Sequence, residues 1–308
     1  MVDFDKIWVE KYRPHKLDDI ILDERTLSIV KEFKDEIPNL LFVGNPGTGK
    51  TTLARIIVND ILKCNYLYLN ASDESGIDTI RHNITNFAQT KSFDGGVKVV
   101  ILDEADGLTT QAQGALRNTM ETYAKYCRFI LTANYKHKII PAVQSRCQSL
   151  DIKPVVELAV RRCYNILKNE NIKVPEEQKK KFVQLVKRHF PDLRKTINEL
   201  QKNIIDSELC IISVTGDNEL LEAVYKKIAS KNSLEARRYL IENEDRFQGD
   251  YDTLLGNYLD FIYTSNIDDI KKKEMIAIIA DHLYKSVFVV DKEINAFACL
   301  VNLENVLH

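Results

Sequence analysis

The stretch Gly44-Asn45-Pro46-Gly47-Thr48-Gly49-Lys50-Thr51 follows the apolar run Leu40 to Val43 and has the spacing G-x-x-x-x-G-K-[ST]. Glycines at 44, 47 and 49 let successive backbone N–H groups curl toward one anion, and Lys50 can reach terminal phosphates. With Thr52 beginning the helix-like run that follows and the Thr51 hydroxyl able to ligate Mg²⁺, the segment is a candidate polyphosphate cradle. Further on, Val97 to Leu102 is a near-continuous β-branched and apolar run ending in Asp103 and Glu104. Buried parallel strands read this way when they deliver carboxylates at their C-terminal ends. Asp103 can share Mg²⁺ with Thr51, and Glu104 can orient and deprotonate a water, which is the Walker B pattern. If both acids merely capped the next helix, their place downstream of a phosphate loop would be a coincidence. Arg128 to Ala133 reads as the next strand and ends at Asn134, an amide able to position the water or contact a γ-phosphate. Arg146, in Gln144-Ser145-Arg146-Cys147, is not easily assigned to its own phosphate loop, so it is a candidate finger acting in trans.

The elements that must hold these groups follow from periodicity. A strand over Leu40 to Val43, a helix from Thr51 to about Leu62 and a strand over Asn65 to Asn70 surround the loop. A short helix over Glu24 to Phe33 precedes them and stops at Pro38. Ile77, Ile80, Ile84 and Phe87 share one helical stripe, while Thr79, Arg81, His82, Asn83, Thr85 and Asn86 occupy the opposite face. That face is either simply solvated or suited to a phosphate backbone. After the acids, Ala112, Ala115, Leu116, Thr119, Met120 and Tyr123 share one helix side, and Gln113, Arg117 and Glu121 recur every fourth residue on another. These three are either ordinary surface pairing or a polar relay toward a neighbouring molecule. Trp8 to Pro14 is either a surface arm or an apolar and aromatic cover for an adenine ring.

At 308 residues the chain is long enough for two or three domains. Hydrophobic and charged fractions of 44% and 29% are those of a soluble globular protein, and no run approaches the roughly 18 apolar residues of a membrane span. The N-terminus has no basic segment followed by an apolar core, so the expectation is a cytoplasmic or nuclear protein. Six scattered cysteines form no C-x-x-C pattern, which argues against zinc and against a disulfide framework. The net charge of −2 says nothing about nucleic acid, since opposite charges can sit on different faces. From about Asp151 the pattern turns helical. Leu158, Arg162, Ile166 and Leu167, then Phe182, Leu185 and Val186, then Ile197, Leu200 and Ile204 give three stripes, and helical periodicity without a catalytic pattern continues beyond residue 215.

Taken together, these motifs resemble the AAA+ family and, within it, clamp-loader ATPase subunits. The carriers are Trp8 to Pro14, the GNPGTGKTT loop, Leu69 to Asp73, Asp103-Glu104-Ala105-Asp106, Thr132-Ala133-Asn134 and Ser145-Arg146-Cys147, as in replication factor C small subunits. Thr85 to Ala88, Ser92 to Gly95 and Phe190 to Ile197 are closer to the large subunit of the T4-type bacteriophage clamp loader. The resemblance implies an α/β plus all-α fold: a parallel-sheet P-loop domain over 1–153, a helical lid over 154–215 and a helical collar over 216–308. It implies that Val9, Glu10, Lys11, Tyr12 and Ile21 line an adenine pocket, and that Gly47, Thr48, Gly49, Lys50, Thr51 and Thr52 grip the phosphates of ATP. Thr51 and Asp103 would hold Mg²⁺, Glu104 would be the catalytic base, Asn134 sensor 1, Arg146 the finger in trans and Arg194 sensor 2; Pro191 suits the first turn of a helix, which would place Arg194 near that helix's start. Implied partners are a sliding clamp, primer-template DNA and other subunits in a ring, a pentamer by resemblance. Where cellular relatives commonly carry an arginine this chain has Ser75, which leaves Arg81 as the candidate DNA contact. A branch-migration motor is disfavoured by the lack of a winged-helix pattern after residue 215. A non-hydrolysing scaffold is disfavoured by retention of Lys50, Asp103, Glu104 and Asn134.

Overall fold

The computed structural model of the chain describes residues 7–33, 37–72, 77–90, 98–211, 218–247 and 249–308; the side chains of 77–81 and 218 stand outside that description. Ser75 and the Arg81 side chain are therefore outside the described residues. Two compact units are present, Met1–Val174 with Leu185–Leu209, and Pro175–Gln184 with Cys210–His308.

The first unit opens with the short helix α1 (Trp8–Lys11) and continues through α2 (Glu24–Lys31), β1 (Leu40–Val43), α3 (Lys50–Ile56), β2 (Tyr66–Asn70), α4 (Ile77–Gln89) and β3 (Lys98–Asp103). Next come α5 (Thr110–Thr122), β4 (Cys127–Ala133), α6 (Pro141–Gln144), β5 (Gln148–Asp151) and α7 (Val156–Asn169). Helix α8 (Glu176–His189) begins among residues of the second unit and ends among those of the first, which then continues with α9 (Leu193–Lys202). Strands β1 to β5 form one parallel sheet in the order β2-β3-β4-β1-β5. All six residues of β3 are buried, and the apolar run Val99 to Leu102 between Lys98 and Asp103 is that of a strand covered on both faces. Period-two alternation divides the sheet's side chains between two cores. Val100, Leu102, Phe129 and Leu131 pack with Ile84 of α4 and Leu116 of α5, while Val99, Ile101, Ile130, Leu40 and Phe42 pack with Val30 of α2 and Leu53 of α3.

Four details depart from the sequence expectation. Strand β5 runs beside β1 although its sequence, Gln-Ser-Leu-Asp, holds one apolar residue, Leu150; an edge strand needs only that much to bury. Ile204 belongs to a two-residue strand paired with Leu209 rather than to a helix. The chain reverses there at Asp206 and Ser207, whose φ values of 49° and 62° suit a primed hairpin turn. Gln113 is not on a surface face: it is buried, donates to the carbonyls of Leu108 (3.1 Å) and Lys138 (2.9 Å), and accepts from Ile140 N–H. Pro191 precedes helix α9 instead of sitting in its first turn, because Asp192 is the cap and accepts from Lys195 N–H at 2.9 Å.

The second unit contains α10 (Asn218–Ala229), α11 (Ser233–Glu242), α12 (Tyr251–Thr264), α13 (Asp269–Lys285) and α14 (Lys292–Leu307), packed around Leu221, Val224, Leu254, Tyr258, Ile279 and Leu300. Inside it His282 is buried and joined to α14 by Asn295 (2.9 Å) and Asn302 (3.0 Å), which gives an otherwise apolar core a fixed register. Among the described residues no helix is long and apolar enough to cross a membrane. Tyr258 is 2% exposed, yet its hydroxyl meets no hydrogen-bond partner among the described residues. Tyr258→Phe removes that unmet polar group at nearly constant volume and is expected to stabilise the protein by about 1 kcal/mol. Urea unfolding followed by circular dichroism checks this, and an unchanged or lower midpoint contradicts it.

Candidate active site

At the C-terminal ends of β1, β3 and β4 the first unit has a cleft of about 380 Å³. Its floor is the loop between β1 and α3. Gly49 has φ 95° and starts α3, a conformation that costs a glycine little. Gly47 has φ 72°, and a Cβ there would lie 1.8 Å from Asp192 Oδ1, while its carbonyl accepts from Leu193 N–H at 3.2 Å. The loop thus presses against the start of α9, where no side chain fits between them.

Lys50 is 8% exposed, and its ammonium donates to the carbonyls of Gly44 (2.9 Å) and Asn45 (2.8 Å) and to Asn134 Oδ1 (2.8 Å). Burial lowers its pKa from the ordinary lysine value, against the opposing pull of Asp103, Asp106 and Glu104. Asp103 is 7% exposed and accepts from three hydroxyls: Thr51 (2.8 Å to Oδ1), Tyr68 (2.7 Å to Oδ2) and Thr132 (2.5 Å to Oδ1). Burial, and then donation to Asp103, pushes the Tyr68 phenol up to about 12, with the Arg55 guanidinium 4.7 Å from the ring centre. Glu104 follows in a left-handed conformation, φ 54° and ψ 41°, which turns its exposed carboxylate out of the strand line. Its N–H donates to Thr132 Oγ1 (3.0 Å), and its Oε2 accepts from Ser72 Oγ (2.6 Å). Asp106 accepts from the N–H groups of Asn134 and Tyr135, both at 3.2 Å, and so fixes the chain around the Asn134 amide.

Of the residues singled out in the sequence, Val9, Tyr12, Ile21, Gly47, Thr48, Gly49, Lys50, Thr51, Thr52, Asp103, Glu104, Asn134 and Arg194 all line this cleft. Glu10 and Lys11 do not. Glu10 accepts from Arg13 at 2.5 Å, and the Lys11 ammonium turns to Glu170 at 2.6 Å. Arg146 is also outside the lining; it donates to Ala142 O (2.7 Å) and, through Nε, to Glu121 Oε1 (2.8 Å). Residues the sequence did not announce include Tyr68 and Thr132 against Asp103, Ser72 against Glu104, Asp192 and Leu193 against Gly47, and Arg162, Cys163 and Ile197 in the cleft lining. The alternation of Tyr66, Leu67 and Tyr68 placed Tyr68 on one strand face, but nothing local aimed it at Asp103.

The donor set suits a hard divalent cation, because Thr51 and Asp103 offer only oxygen. The loop N–H groups at the start of α3, with Lys50, suit a polyphosphate.

The description "ATPase family associated with various cellular activities (AAA)" matches residues 40–154, and "Sliding-clamp-loader large subunit, AAA+ ATPase lid domain" matches residues 151–209. The chain is 38% identical over 260 residues to the replication factor C small subunit of Archaeoglobus fulgidus, covering 80% of this chain and 79% of that one. It is 40% identical over 259 residues to that of Methanoregula boonei, covering 74% and 79%. To replication factor C subunit 3 of Saccharomyces cerevisiae it is 43% identical over 202 residues, covering 63% and 58%. Among solved structures it is similar to the Thermotoga maritima RuvB Holliday junction branch migration motor at 18% identity and TM-score 0.46, over 69% of this chain and 79% of that one. A likeness that distant has no bearing on function. By its sequence relatives, the chain belongs to the replication factor C small-subunit family of AAA ATPases.

Proposed function

We propose that this protein is an ATPase subunit of a DNA sliding-clamp loader. ATP with Mg²⁺ orders a ring of subunits that opens a clamp and grips primer-template DNA, and hydrolysis releases both. Lys50 and the N–H groups of Gly47 to Thr52 would take the phosphates, and the apolar end near Val9, Tyr12 and Ile21 the adenine. Thr51 and Asp103 would hold Mg²⁺, which draws charge from the phosphate oxygens. Glu104 would receive the proton of the attacking water, with Asn134 and Arg194 in the same cleft lining. In this reading residues 154–215 act as a lid, residues 216–308 as a collar holding the ring, and Arg81 meets DNA.

One observation carries the proposal. The chain has a full set of phosphate-facing groups in its own cleft, together with an arginine, Arg146, that lies outside that cleft and is tethered to Glu121. In this reading Arg146 serves the cleft of a neighbouring subunit. The relatives named replication factor C, and the matched lid description, support the same assignment.

Two outcomes follow. With its partner subunits, the protein is expected to hydrolyse ATP faster when clamp and primed DNA are both added; no stimulation in a coupled phosphate-release assay contradicts the proposal. Arg146→Ala is expected to leave ATP affinity within about twofold and to slow hydrolysis in the assembly on the order of 10³-fold, the range of a finger supplied in trans. Loss of ATP binding instead would mean that the arginine serves its own cleft.

A further inference from the structure

Helix α1 has four residues, too few to be stable alone, so contacts elsewhere in the first unit must decide where it lies. Trp8 is 6% exposed, and its N–H donates to Gln201 Oε1 of α9 at 3.1 Å. The carbonyl of Tyr12 accepts from Arg162 of α7 at 3.1 Å. The remaining contact is a convergence on one atom: Glu170 Oε1 accepts from the Tyr12 hydroxyl at 2.5 Å and pairs with the Lys11 ammonium at 2.6 Å. Glu170 is the C-cap of α7, where a carboxylate faces the negative end of the helix dipole, a local cost of about 0.3–1 kcal/mol. Its position makes no sense for the helix it ends and good sense for the arm it holds. Burial pulls its carboxyl upward, but the hydrogen bonds from Lys11 and Tyr12 and the charge of Lys11 outweigh this and leave it below the ordinary glutamate value.

We propose that Glu170 is a positioning residue for nucleotide binding: by gripping Lys11 and Tyr12 it fixes the arm as the wall against which the base packs. This inference rests on the nucleotide reading of the cleft. Val9 and Tyr12 line the cleft together with the apolar side chains of Ile20, Ile21, Cys163 and Ile197. Glu170 itself does not line the cleft and acts only through the arm. Base recognition and the placement of α7 are thus one event in this proposal, and Glu170 has no part in gripping the phosphates.

That separation is what the experiment reads. Affinities for ATP and for inorganic tripolyphosphate are measured by calorimetry on the full chain, for wild type, Glu170→Ala and Glu170→Gln. Glu170→Ala is expected to weaken ATP about tenfold and tripolyphosphate less than about twofold, since two charge-assisted contacts on the arm are lost. Glu170→Gln keeps an acceptor for Tyr12 without a charge for Lys11 and is expected to fall between. Equal weakening of both ligands would mean a general loss of structure and would overturn the proposal, as would unchanged ATP affinity. A wild-type chain that binds neither ligand would overturn the nucleotide reading itself, whereas wild-type binding with no effect in either variant would remove Glu170 alone.

Discussion

Two opposite charges are buried at the carboxyl end of one parallel sheet, and the fold around them is arranged to make that tolerable. Lys50 and Asp103 are each less than a tenth exposed, and an ion taken out of water costs several kcal/mol unless its hydrogen-bonding capacity is met. The chain meets it with groups from β1, β4 and β2, of which β4 and β2 flank the strand β3 that carries Asp103. The β1 loop supplies the Gly44 and Asn45 carbonyls, the end of β4 supplies Thr132 and Asn134, and β2 supplies Tyr68. Only the strand order β2-β3-β4-β1 brings these ends together. In the proposed reading, phosphate oxygens replace the protein acceptors at Lys50 when the nucleotide binds.

The geometry of the cleft is built outward from that pair. The left-handed Glu104 is held by Thr132 at its amide and Ser72 at its carboxylate, so the sparsely populated conformation is fixed from both sides. Asp106 holds the backbone at Asn134 and Tyr135, which ties the loop after β3 to the loop after β4. At the other side, Gly47 lets the phosphate loop press against the Asp192 cap of α9, the helix that also carries Arg194. The Gly47 loop is therefore in direct contact with α9, and the arm of Trp8, Lys11 and Tyr12 touches α7 through Arg162 and the cap Glu170, and α9 through Gln201.

Much of this was legible in the sequence, for reasons that differ by residue. The phosphate loop, Asp103, Glu104 and Asn134 are contiguous motifs at strand ends, and buried parallel strands announce themselves by unbroken apolar runs. What escaped notice depends on contacts between distant segments. Tyr68 and Thr132 reach Asp103 across strand register, and Glu170 meets Tyr12 across the first unit. Strand β5 escaped because an edge strand needs little apolar sequence. Gln113 misled because a helical i, i+4 pattern cannot tell a surface amide from one that staples two buried loops. The resemblance implied Glu10 and Lys11 in the lining of an adenine pocket, but neither lines the cleft, and their side chains serve Arg13 and Glu170.

Equilibrium titration of the purified chain with ATP and Mg²⁺ tests the central claim most directly, comparing wild type with Lys50→Ala and using circular dichroism to confirm that the variant is folded. One ATP per chain for the wild type, with affinity reduced about a hundredfold or more in the folded variant, is the predicted result, since a buried charge-assisted contact to phosphate is removed. Undiminished binding by Lys50→Ala, or no binding by the wild type, would contradict the account.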